Sequence, residues 1–119
     1  MSEQEVKQFE AILSLYAEVN QHQKEFYVAR FADMGYASLK YIGKDGLVER
    51  AYLHRTPRDL YCFLEDRWEE ALLYDYMDEH KILDKEMDVF LENAPKDLKR
   101  KIVQLHEHLC RSAEEILNN

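Results

Sequence analysis

The densest run of ionisable side chains lies between Glu65 and Glu79. Seven acids there, Glu65, Asp66, Glu69, Glu70, Asp75, Asp78 and Glu79, face one base, Arg67, so the fifteen residues carry a net charge of −6. Tyr61, Tyr74 and Tyr76 are interleaved with them. Such a run is often an ordinary solvated helix face. It also has the composition of a binding surface. Carboxylates steer a basic partner by long-range attraction, and tyrosine supplies contact area with few rotatable bonds. The expected binding residues are Glu65, Asp66, Glu69, Glu70, Tyr74, Asp75, Tyr76, Asp78 and Glu79, with no catalytic residue among them.

Five histidines and two cysteines pose the metal question. Glu18 and His22 stand four apart, one helical turn, whereas His106 and His108 stand two apart and point to different sides of a helix. The Glu-x-x-His spacing of helical metal centres is absent. Cys62 and Cys110 are too far apart for a zinc knuckle and too few for a disulfide framework. Both are expected to be buried free thiols, since unpaired cysteine behaves as a small hydrophobe. No metal and no cofactor is expected. Gly43-Lys44-Asp45-Gly46 is too short for a phosphate loop.

Arg100 and His106 form an Arg-x5-His pair on the final helical stretch. Over these seven residues the spacing is similar to the short motif of HEPN-domain ribonucleases. That resemblance implies a small all-helical domain that dimerises to bring two motifs together, so a homodimer is the second partner expectation. Arg100 and His106 would then stabilise phosphate and act in proton transfer, with Lys99 and Lys101 favouring RNA nearby. This is the alternative to protein binding.

These residues must be positioned by helices for the most part. Apolar residues at Val6, Phe9, Ile12, Leu13, Tyr16, Val19, Phe26, Tyr27 and Phe31 recur at threes and fours, which predicts one helix from about Glu3 to Asp33. The polar Asn20–Gln23 interrupts this stripe, but neither Gly nor Pro breaks it, and Gly35 ends it. Around residues 37–53, two β-rich runs flank the Gly-bounded loop and suggest a hairpin, with two short helices as the alternative. Thr56-Pro57-Arg58-Asp59 marks a helix start, with Thr56 as cap and Pro57 at the first helical position. That helix runs to about His80 and places Leu60, Leu64, Trp68 and Leu72 on one stripe, so Trp68 is expected in the core. Asp84 to Glu92 reads as a short helix. Pro95 opens a last helix with the stripe Leu98, Ile102, Leu105, Leu109, Ala113 and Ile116.

The predicted fold is a mainly α, single-domain helical bundle over residues 1–119, three long helices plus one short, with a possible small hairpin. Only three Gly and two Pro punctuate 119 residues. The net charge of −8 opposes general phosphate-backbone binding, so nucleic acid is an unlikely partner and a basic protein a natural one. The first ten residues are polar, and no apolar run approaches the ~20 residues of a membrane span. A cytoplasmic, non-enzymatic regulator, inhibitor, immunity-like protein or adaptor is the expectation.

Overall fold

The computed structural model describes residues 1–17, 26–42, 47–81, 92 and 95–119. Among these, the elements in chain order are helix α1 (Glu3–Ala17), strands β1 (Phe26–Phe31), β2 (Gly35–Ile42) and β3 (Leu47–His54), and helices α2 (Pro57–Glu79) and α3 (Lys96–Leu117). The strands form one antiparallel sheet in the order β1-β2-β3. The architecture is therefore α+β, which corrects the predicted bundle of three long helices plus one short. It also departs from the all-helical domain that the HEPN resemblance implies.

The error lies in the first long helix. α1 stops at Ala17, and Phe26–Phe31 is a strand. Phe26, Tyr27 and Phe31 continue the helical spacing by coincidence. Aromatic and β-branched residues suit a strand once a neighbour supplies the hydrogen-bond ladder, and β2 does so from Phe26↔Lys40 to Phe31↔Gly35. Gly35 closes a hairpin and does not end a helix. Ala32, Asp33 and Met34 form its loop, with the Met34 N–H donating to the Phe31 carbonyl at 3.1 Å. The predicted interruption at Asn20–Gln23 and the short helix from Asp84 fall outside the described residues.

Within the sheet, Lys40 opposes Arg50 and Tyr41 opposes Val48, so Glu49 is an extra residue on β3. The alternation of a pleated strand puts Tyr36, Ser38, Tyr52 and His54 on one face. This face receives α1 and α2. The Phe9 ring stacks on Tyr36 at 4.4 Å, and Phe63 meets Tyr52 at 5.2 Å and His54 at 4.7 Å. The opposite face carries Ala29, Ala37, Leu39, Ala51 and Leu53, with Phe31 at its end; Phe31 and Leu53 are exposed.

Helix starts obey local chemistry. At α1, the Glu5 N–H donates to Ser2 Oγ at 3.1 Å while the Ser2 N–H donates back to Glu5 Oε1 at 3.2 Å, a reciprocal capping box. At α2, the Asp59 N–H donates to Thr56 Oγ1 at 3.1 Å, so Thr56 caps the helix that Pro57 opens. α3 runs antiparallel to α1 and α2. Its terminal carbonyls at Ile116 and Leu117 accept from Gln8 Nε2 of α1, which satisfies groups that a helix end leaves unpaired. At the same end, Arg58 forks onto both oxygens of Glu114 at 3.0 and 3.2 Å.

One core joins all these elements. Phe9, Ile12 and Tyr16 of α1, Tyr36 of β2, Leu60, Leu64 and Trp68 of α2, and Leu109 and Ala113 of α3 are buried together. Trp68 is 2% exposed, as its stripe predicts. Farther along α2, Leu73 and Met77 are also buried, but on the opposite side of the helix from Trp68 and Leu64.

Candidate functional site

The acidic run lies on α2, and its described side chains divide between the solvent and the interior. Asp66, Glu69 and Glu79 are exposed and, among the described residues, make no ion pair. Tyr76 is half-buried and stacks on His80 with ring centres 4.1 Å apart. Arg67, the one base in the run, turns toward the sheet: its guanidinium lies 3.7 Å over the Phe63 ring and donates to the Phe63 carbonyl at 3.0 Å. The side chains of Glu70, Tyr74, Asp75 and Asp78 lie outside the described residues.

Glu65 turns inward and is half-buried. Its side chain is 19% exposed and accepts from two directions. Tyr16, buried on α1, donates its hydroxyl to Oε2 at 2.8 Å, and His106 Nδ1 of α3 lies 2.8 Å from Oε1. Cys110, one turn beyond His106, places Sγ 3.6 Å from His106 Nε2 and 3.7 Å from Glu65 Oε1. The spacing of four on α3 puts His106 and Cys110 on one helix face, and the antiparallel packing of α2 brings Glu65 to it. The Trp68 ring flanks His106 at 5.7 Å.

This arrangement has a definite electrostatic character. Burial, then the hydrogen bond to Glu65, pushes the Tyr16 hydroxyl far above its ordinary range, so it stays a donor. Tyr61 is likewise pushed up, by burial first and then by its hydrogen bond with Cys110. With a carboxylate at Nδ1, the neutral imidazole of His106 carries its proton there and turns the Nε2 lone pair toward the thiol. Cys110 has one proton for two acceptors at nearly equal distance.

Thiol, imidazole and carboxylate in this order match the logic of an activated nucleophile. One feature argues against that use. Cys110 stands deep within α3, where the helix ladder consumes the backbone N–H groups that would otherwise stabilise an oxyanion. The same three residues are instead a donor set of the kind that holds a metal ion.

From the sequence, Glu65 is expected to be a surface acid and His106 the partner of Arg100. In the structure Arg100 is exposed, while His106 is engaged by Glu65 and Cys110. Cys62, expected to be buried, is exposed, and Cys110 is half-buried. Glu18 and His22 lie outside the described residues. The signal for Cys110 was present as the spacing of His106 and Cys110, but the third member is 45 residues away and only the packing of α2 on α3 supplies it. Among the described residues, no helix is long and apolar enough to cross a membrane. Comparison with protein-family models, with curated proteins and with solved structures returns no match for this chain.

Proposed function

We propose that the protein acts without catalysis, by binding a basic protein partner through the exposed acids of α2, as a regulator, inhibitor or adaptor in the cytoplasm. The observation that carries this reading is the set Asp66, Glu69 and Glu79, exposed on one helix and free of ion pairs among the described residues. Arg67 in their midst faces Phe63 and the sheet. The overall charge of −8 adds to the same field. Glu65 is turned inward, so among the described residues the proposed contacts are Asp66 and Glu69, with Tyr76 and Glu79 farther along.

Attraction of this kind is screened beyond about 8 Å at physiological ionic strength, so it acts mainly on the association rate. The test compares two double charge reversals of equal size: Asp66→Lys with Glu69→Lys, and Glu3→Lys with Glu115→Lys. All four residues are exposed, so both variants should fold. Association is timed against basic proteins of the native host, separated by cation exchange, at low and high salt. The α2 reversal should slow association by about tenfold or more at low salt and flatten its salt dependence, as steered encounters do. Equal rates for the two variants would reduce the acids of α2 to a solubilising surface.

A further inference from the structure

The donor atoms gathered where α2 meets α3 are not used by the acidic surface, and what they can do does not depend on it. Glu65, His106 and Cys110 each offer one ligand atom within 4.8 Å of the others. Zinc bonds run about 2.0–2.1 Å to imidazole nitrogen, 2.0–2.2 Å to carboxylate oxygen and 2.3 Å to thiolate, which sets tetrahedral ligand atoms roughly 3.3–3.7 Å apart. The Cys110 Sγ–Glu65 Oε1 separation of 3.7 Å already meets that spacing, and Cys110 Sγ lies 3.6 Å from one ring nitrogen of His106, Nε2. The 2.8 Å contact of Glu65 Oε1 is with the other ring nitrogen, Nδ1, and is closed by a hydrogen bond, so it has to open and the imidazole has to shift for a single nitrogen to join both donors on one ion.

We propose that Glu65, His106 and Cys110 bind one divalent transition-metal ion of borderline softness, zinc above all, with the fourth position open to water. Thiolate and imidazole in the set favour zinc over magnesium or calcium, which take oxygen donors throughout. Two of the three ligands are pre-organised by a single turn of α3. The third is held by a second layer: the Tyr16 hydroxyl, 1% exposed as a residue, donates to Glu65 Oε2 and leaves Oε1 for the ion. On binding, the Cys110 thiol gives its proton to solvent as the sulfur–metal bond forms, so two ligand charges balance the cation. The Trp68 ring beside His106 walls one side of the site with apolar surface.

The test uses the whole chain, kept reduced, titrated with cobalt(II) and then with zinc(II). One cobalt ion per chain is expected, with the near-ultraviolet thiolate-to-cobalt charge-transfer band and the intense visible bands of four-coordinate cobalt. Zinc should displace it stoichiometrically and raise the melting temperature with concentration. Cys110→Ser should abolish the charge-transfer band, and His106→Gln should abolish tight binding. Cys62→Ser, at the exposed cysteine outside the cluster, should change neither. Tyr16→Phe keeps the buried ring and should weaken binding by about 10–100-fold, as loss of an outer-layer partner does. Far-UV circular dichroism confirms that each variant is folded, and the wild-type titration is decisive by itself. Absence of the charge-transfer band in wild type, or a band that survives Cys110→Ser, overturns the proposal.

Discussion

At the scale of the residue, the informative side chains are those whose neighbours come from another element. His54 is an example. It is 5% exposed, its Nε2 lies 2.7 Å from Ser38 Oγ, and its ring packs on Phe63. Burial holds its pKa below the ordinary value of 6.5, reinforced by Arg67 and opposed by Asp59. The unfolded chain, whose histidines titrate near their ordinary value, therefore takes up this proton before the folded one does as pH falls. The stability that neutral His54 contributes is complete above about pH 6.5 and is lost progressively below it. The urea midpoint should consequently drop between pH 7 and pH 5, and His54→Gln, which can keep the contact to Ser38, should drop less. Identical pH slopes in the two proteins would place the sensitivity elsewhere. Glu65 makes the same point about legibility. Its type and helical position were readable, but its removal from the acidic surface depends on Tyr16 and His106, which lie 49 and 41 positions away in the chain.

At the scale of the element, the β1–β2 hairpin turns on two backbone positions of opposite tolerance. Gly35 has φ of 141°, and a Cβ there would sit 2.1 Å from the His54 carbonyl oxygen on the neighbouring strand. Strand β3 cannot move away without breaking the ladder from Tyr36↔His54 onward. Gly35→Ala should therefore cost at least ~1–3 kcal/mol from backbone strain, with the steric clash added. Ala32 lies at φ of 48°, where an L side chain is mildly strained, and Ala32→Gly should be neutral or slightly stabilising. Urea midpoints of the two variants should move in different directions or by very different amounts. A Gly35→Ala protein with the wild-type midpoint would mean that β1 and β2 do not meet through this turn.

At the scale of the whole molecule, the helices α1, α2 and α3 and the sheet share one core among the described residues. Tyr36 brings the sheet into it against Phe9, and Trp68 lies where α2 meets α3. Removing that indole leaves a large void, and Trp68→Ala should cost about 3–5 kcal/mol, as truncation of core aromatics does. Domains of this size are stable by only about 5–15 kcal/mol, so the variant should lose much of its margin. Unfolding followed by far-UV circular dichroism should remain a single transition at a much lower urea concentration. A variant with near-native stability would show that α1, the sheet and α3 are held together without the indole.

What the chain determined by itself was local. Thr56-Pro57 and Pro95 set the starts of α2 and α3, because capping and proline geometry depend on neighbours a few residues away. The stripes of α2 and α3 likewise foretold that Trp68, Leu98, Leu109 and Ala113 would be buried. Whether Phe26–Phe31 is helix or strand was decided by tertiary structure, since its apolar spacing fits either and only pairing with β2 supplies the hydrogen bonds that make a strand the better solution. The meeting of Glu65, His106 and Cys110 was decided in the same way. A helix period fixes which face a side chain is on, but not which other helix that face will meet. The antiparallel packing of α2 on α3 turned one carboxylate of an acidic run inward and left Asp66 and Glu69 in water.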